Sequence, residues 1–424
     1  MDADLCVKIA VLMKREVPRK FTTTPGTRDV LPPESTRLWD VQARVLRRFR
    51  AFGFREVVTP ALEYSEVIEE PRLRDSAFKL FDPDNQMVIL RPEVTTPIAR
   101  LVAQRLRNSP PPHKLSYSLP VYRRAGVGHG QAAEFHQAGV EVVGSTSPAE
   151  DAGAIALLVD VLESLGLRAP DDFAVVLGQT AFYEGYLQAT APEVASDLLA
   201  ALAAKDLVRV DELAAGLSNE IAEAVREVPR IVGPATDGAM LARAEQYAVG
   251  EAASALENLR GILAHLDAYG CLDAVILDLG LIGRYNYYTG AVYEAYSPEL
   301  GFTIANGGRY DNLLDRFGES MPATGFAISL ERLLSVLPAG DEGPLLVMVG
   351  ESVESTRSAE MLRESGVRVL HLAEDISPDE AAMYAKSVGA GWICYPASEG
   401  LKLARSGEEF KILSAAEVAR KVLS

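Results

Sequence analysis

Four short runs set polar and charged side chains among apolar neighbours, and they hold most of the chain's capacity for chemistry. LRPEVTTPIAR places Glu93 and Thr95 just beyond a proline, and EFHQAGVEVVG alternates Gln137, Gly139 and Glu141 along one face of an extended segment. NYYTG supplies Tyr287 and Tyr288, and ANGGRYDNLLDRFG followed by PATGFAISLERLL supplies Arg309, Asp311, Glu331 and Arg332. A buried carboxylate or guanidinium without a partner costs several kcal/mol of desolvation, so these groups need partners. Glu93, Gln137 and Glu141 beside tyrosine hydroxyls would suit an ammonium group and an imidazole, because two carboxylates can neutralise one amino group and accept from a ring N–H. Each piece alone has a plainer reading. A strand glutamate is more often solvated or salt-bridged, and paired tyrosines are more often core filler with a wet hydroxyl.

The elements that must position these groups follow from hydrophobic period and turn chemistry. Leu38, Val41, Val45, Phe49 and Phe52 recur at helical spacing, with Ser35 as the expected cap and Gly53 as the stop. REVVTPALEY reads as a strand interrupted by Pro60, FKLFDPDNQMVIL as strand, turn and strand, and KLSYSLPVY with EFHQAGVEVVG as two strands around a glycine-rich loop. These runs predict an antiparallel sheet. GVGHG, Gly126 to Gly130, lacks the GKS or GKT ending of a phosphate loop and reads as a hairpin turn. Ser147, Pro148 and Glu150 open a helix, and residues from about 190 to 270 form an alanine- and leucine-rich helical insert. FAISLERLLSVL predicts a further helix. After the Pro338–Gly343 linker, PLLVMVG, VRVLHL and GWICYP alternate with amphipathic segments, which predicts a small α/β domain over 343–424 with a parallel sheet. The expected organisation is a tail at 1–20, a main domain at 21–340 and this small domain.

Composition narrows the function. The chain of 424 residues is 48% hydrophobic, enough for a large core, and no uninterrupted apolar run suits a membrane span. Cys6, Cys271 and Cys394 are widely separated and no two histidines have H-x-x-x-H spacing, so no metal centre, cofactor site or disulfide framework is expected. A reducing cytoplasm fits. The net charge of -17 works against binding a phosphate backbone.

In order and spacing, PGTRDVLPPE, LRPE-x-T, EFHQ-x-G-x-EV-x-G, YYTG, GGRYD and P-A-x-GF-x-x-x-LER resemble the histidine-specific class II aminoacyl-tRNA synthetases over about residues 20 to 335. The resemblance implies an α+β fold, with an antiparallel sheet, flanking helices and the helical insert. It also implies a histidine pocket made by Glu93, Thr95, Arg123, Gln137, Glu141, Tyr287 and Tyr288, with Arg332 and Arg123 as the arginines of the third and second class II motifs. The C-terminal block is similar to a shortened anticodon-binding domain.

Departures from that pattern fall on the ATP side. Where active members have R-G-L-D-Y-Y this chain has G-R-Y-N-Y-Y, so Gly283 stands at the catalytic arginine and Asn286 at the aspartate. Read as a strand, Arg284 would point to the opposite face. Ala125 replaces the adenine-reading glutamate, and the loop after it has Gln131 and Ala133 where arginines are expected. Losing one preorganised group of this kind commonly costs about 100- to 1,000-fold in rate. The chain is similar in these losses to the synthetase-like regulatory subunits of ATP phosphoribosyltransferase. That resemblance implies a non-catalytic partner for the short catalytic subunit in the first step of histidine biosynthesis, a homodimer within a hetero-oligomer, histidine as effector, and no tRNA. The other reading is an active histidyl-tRNA synthetase.

Overall fold

The computed structural model describes residues 22–124, 132–283, 285–338, 343–405 and 408–424. They fall into two compact units, one up to Pro338 and one from Ala339.

The first unit is built on a nine-stranded sheet in the order β1-β5-β6-β12-β11-β10-β7-β9-β8. Its strands are β1 (Arg55–Glu56), β5 (His113–Tyr122), β6 (Glu134–Val143), β7 (Ala174–Gln179), β8 (Val232–Pro234), β9 (Val275–Asp278), β10 (Ala291–Tyr296), β11 (Ala305–Arg309) and β12 (Ala323–Ser329). The sheet is mixed rather than purely antiparallel, because β1 pairs parallel with β5 and β7 parallel with β9. The central β5, β6, β12, β11, β10 and β7 are antiparallel throughout. A small separate sheet joins β2 (Leu62–Tyr64), β4 (Met87–Leu90) and β3 (Lys79–Phe81) in that order.

One face of the large sheet carries the main core. Ala138, Val140 and Val142 of β6 pack there with Val41, Val45 and Phe49 of helix Glu34–Ala51 and with Ile155, Leu158 and Leu162 of helix Pro148–Ser164. Ser147 caps the second helix by accepting from Ala149 N at 3.3 Å, as its sequence predicts. Ser35 does not cap the first. It lies inside the first turn, Pro33 occupies the cap position without a side-chain bond, and Arg28 pairs with Glu34 there.

Helices fill the chain between β7 and β9: Thr180–Thr190, Ala195–Ala203, Leu207–Ala214, Asn219–Glu227, Gly238–Glu245 and Glu251–Tyr269. The insert also contributes β8 to the sheet edge. Its last helix buries Leu256, Leu259, Ile262 and Leu266 in the main core, so alanine-rich composition concealed a load on the sheet. FAISLERLLSVL divides into β12 and helix Leu330–Val336, because its first four residues belong to a strand paired on both sides within the sheet.

The second unit holds a five-stranded sheet in the order β14-β13-β15-β16-β17, from Leu345–Val349 (β13), Arg368–Leu372 (β14), Trp392–Ala397 (β15), Gly400–Arg405 (β16) and Lys411–Leu413 (β17). The expected parallel core is β14, β13 and β15, but β16 and β17 extend it with antiparallel pairing. A capping box at Ser414 and Glu417 opens the last helix, Ala415–Leu423.

Candidate functional site

The other face of the large sheet is kept open by small residues. In β6, Gln137, Gly139 and Glu141 point away from the core, and their β12 partners are Ser329, Ala327 and Gly325. Gly308 of β11 continues this floor beside Gly325. A Cβ added at Gly325 would lie 2.0 Å from Glu141 Oε2, so the carboxylate lies flat across the strand only because that position is glycine. Over this floor is an open cleft. Glu93, Thr95, Arg123, Gln137, Glu141, Tyr287 and Tyr288 all line it, together with Arg332 and Gly283.

The acidic end is a connected network. Glu93 precedes helix Thr95–Leu101, and its carboxylate accepts from Thr96 N at 3.0 Å, which anchors it at the helix N-terminus. Thr95 Oγ1 donates to Glu141 Oε1 at 2.8 Å, and the Tyr310 hydroxyl donates to Glu141 Oε2. Glu141 is 1% exposed, and burial pushes its carboxyl up to about 8 despite both donors. Burial likewise raises Glu93, against two hydrogen bonds from Thr96 and the charge of Arg123. Gln137 Oε1 is buried among the described residues without a hydrogen-bond partner. Two raised carboxylates and one open amide oxygen match a ligand that brings positive charge and N–H donors.

Aromatic rings close the sides. Tyr287 packs on Tyr288 at 4.9 Å between centroids and edge-on to Tyr310 at 5.9 Å. Arg123 donates through Nε to Pro92 O at 2.7 Å, and its guanidinium lies 5.4 Å from the centre of the Phe135 ring. Arg332 donates to Thr303 O at 2.9 Å and stacks on Phe302. Among the described residues no cluster of histidine, cysteine or carboxylate groups is arranged for a metal ion.

The run around Tyr287 and Tyr288 is not the expected strand. Residues 285–290 form a turn, and the strand begins only at Ala291. Alternation therefore does not govern which way this run points. Arg284 and Ala125 lie outside the described residues, as do Gln131 and the GVGHG run. Gly283 lines the cleft, and a Cβ there would come within 2.5 Å of Tyr288 Cδ2. In this arrangement the Tyr288 ring occupies the space that a side chain at 283 would need. Asn286 is not brought to the cleft. It is exposed on the turn, where its N–H donates to Glu70 at 3.2 Å.

Sequence reasoning missed Tyr310, Phe135, Glu294 and Asn306, which also line the cleft. Tyr310 follows directly on Arg309 of β11 in the GGRYD run, but its approach to Glu141 is a tertiary contact that the run does not announce. Arg309 itself is structural: it forms a buried pair with Asp151 at 2.7 Å beneath the sheet end.

A family model of histidyl-tRNA synthetase matches residues 26–333. A curated ATP phosphoribosyltransferase regulatory subunit from Rubrobacter xylanophilus is 67% identical over 97% of this chain and 100% of its own length. Another of that description, from Moorella thermoacetica, is 38% identical over 87% of this chain and 97% of its own. Among solved structures, an ATP phosphoribosyltransferase regulatory subunit/histidyl-tRNA synthetase from Bacillus halodurans C aligns with a TM-score of 0.78 at 28% identity, covering 90% of this chain and 100% of that one. A histidyl-tRNA synthetase from Nostoc sp. PCC 7120 aligns with a TM-score of 0.79 at 22% identity, over 95% and 98%, and shows the shared fold.

Proposed function

The chain belongs to the family of ATP phosphoribosyltransferase regulatory subunits built on the histidyl-tRNA synthetase fold, and from that premise we propose that it partners a short catalytic subunit and responds to histidine. In this reading it acts in the cytoplasm at the first step of histidine biosynthesis, as a homodimer within a hetero-oligomer, and binds no tRNA. The observation that carries the assignment is 67% identity sustained over 97% of the chain to a regulatory subunit.

The cleft supplies the sensing element. A histidine would place its ammonium and ring N–H groups among Glu93, Glu141 and the Gln137 oxygen, with its imidazole among the tyrosine rings. The ammonium would stabilise the ionised form of Glu141, which burial otherwise disfavours. Feedback then requires that histidine bind one assembly state more tightly than another, since equal affinity shifts no equilibrium. Synthetase chemistry is absent in this reading, because position 283 offers no cation to a substrate carboxylate or phosphate. The inherited pocket is the sensor, and the small domain is a retained remnant.

Mixing the purified chain with the short catalytic subunit of the same organism tests the assignment. We expect co-elution on a sizing column and phosphoribosyltransferase activity above that of the catalytic subunit alone. Separate elution with unchanged activity would refute it.

A further inference from the structure

Behind the wall of the cleft lies a second cavity that the proposed function does not use. It opens between the helical insert and the sheet, lined by Val176, Leu202, Lys205, Leu207, Asp278 and Glu294 among others, with Leu281, Ile282 and Glu294 shared by both cavities.

Its charges come from opposite sides. Lys205 belongs to the insert, just past helix Ala195–Ala203, and its ammonium sits 6.0 Å above the centre of the Tyr296 ring. Among the described residues it makes no ion pair. Asp278 and Glu294 belong to the sheet, at the end of β9 and within β10. Glu294 is 8% exposed and accepts from the Tyr296 hydroxyl, while Asp278 Oδ1 accepts from Gly280 N at 2.8 Å. Burial raises the Asp278 carboxyl, Lys205 opposes that shift, and Glu294 adds to it.

The backbone at Lys205 closes helix Ala195–Ala203 in a left-handed conformation. Its φ of 57° is left-handed, and the bonds Lys205 N to Leu202 O and Asp206 N to Ala201 O close the helix end in the manner that favours glycine. A β-carbon there is a local cost that helix termination does not require, and such outliers gather at ligand sites. Leu207, two residues on, is 48% exposed at the same cavity.

We propose that this cavity is a second binding site, for a small zwitterionic amino acid with an aliphatic side chain. Its carboxylate pairs with Lys205, its ammonium lies against Asp278 and Glu294, and its side chain packs on Val176, Leu202 and Leu207. A lone anion would meet two carboxylates and a lone cation would compete with Lys205. A zwitterion answers both ends. One end is held by the insert and the other by the sheet.

The test is a calorimetric titration of the full chain with L-leucine, L-valine and L-isoleucine, repeated with saturating L-histidine. Leucinamide and 4-methylpentanoate are the single-charge controls. We expect saturable binding of at least one aliphatic amino acid with a Kd of about 1 mM or tighter, unaffected by histidine, and about tenfold weaker for each control. Lys205→Gly suits the left-handed backbone, so its melting temperature should equal or exceed that of the parent while amino-acid binding falls about tenfold or more. Asp278→Asn should also weaken binding. Absence of saturable binding by all three amino acids, competition by histidine, or undiminished binding to Lys205→Gly would each overturn the proposal. None of these outcomes bears on partnership with a catalytic subunit.

Discussion

The two ends of the large cleft are built to different standards. At the acidic end Glu93 and Glu141 are 4% and 1% exposed, held by a helix N-terminus, a threonine and a tyrosine. On the side that the synthetase resemblance assigns to ATP, Gly283 has no side chain and Arg332 donates to Thr303 O beside Phe302, while Asn286 is turned away from the cleft. Buried carboxyl groups whose ionisation is disfavoured are poor devices for stability alone, and a ligand that brings positive charge gives their burial a purpose. The contrast supports our reading of a binding pocket that outlived its chemistry.

Glu141→Ala strikes the acidic end hardest and should weaken histidine binding about 100-fold by calorimetry, as expected for removing one partner of a buried charged contact. An unchanged affinity would break the comparison by showing that histidine binds elsewhere. Gly283→Arg addresses the opposite end. Because the Tyr288 ring already fills the adjoining space, the variant should lose about 1–3 kcal/mol of stability in denaturant and gain no amino-acid activation. Restored activation would show that one missing charge, rather than the whole end, separates this chain from a synthetase.

The pH dependence sharpens the same contrast. Glu141 is raised from 4.5 to about 8, so across that window the folded protein holds a proton that the unfolded chain has released. Stability from this group therefore falls as pH rises through the window, and Glu141→Gln should remove that fall in melting curves. Histidine binding favours the ionised carboxylate, so affinity should climb with pH between about 6.5 and about 8 and lose this climb in the same variant. Arg332→Ala should change histidine affinity less than about threefold, since its contacts lie at the far end. Asn286→Asp, on an exposed turn, should shift stability by less than about 0.5 kcal/mol.

What was legible in the sequence was what depends on short-range periodicity. Gln137, Gly139 and Glu141 share a face because β6 is a regular strand, and Ser147 caps its helix because the cap lies within three residues of its targets. What depends on tertiary packing was harder. The synthetase resemblance reads the tyrosine run as a strand, yet Tyr287 packs between Tyr285 and Tyr288, Tyr288 lies on Gly308, and the chain turns there. FAISLERLLSVL reads as a helix, but pairing with β6 and β11 claims its first four residues. The bond from Tyr310 to Glu141 spans 169 residues, beyond the reach of any local pattern.

In our reading the amino-acid end still binds while the ATP end no longer reacts. Exchange of labelled pyrophosphate into ATP by the purified chain at saturating histidine tests it most directly. We expect exchange at the level of a histidine-free control in a preparation that binds histidine saturably. Histidine-dependent exchange above that control would contradict it.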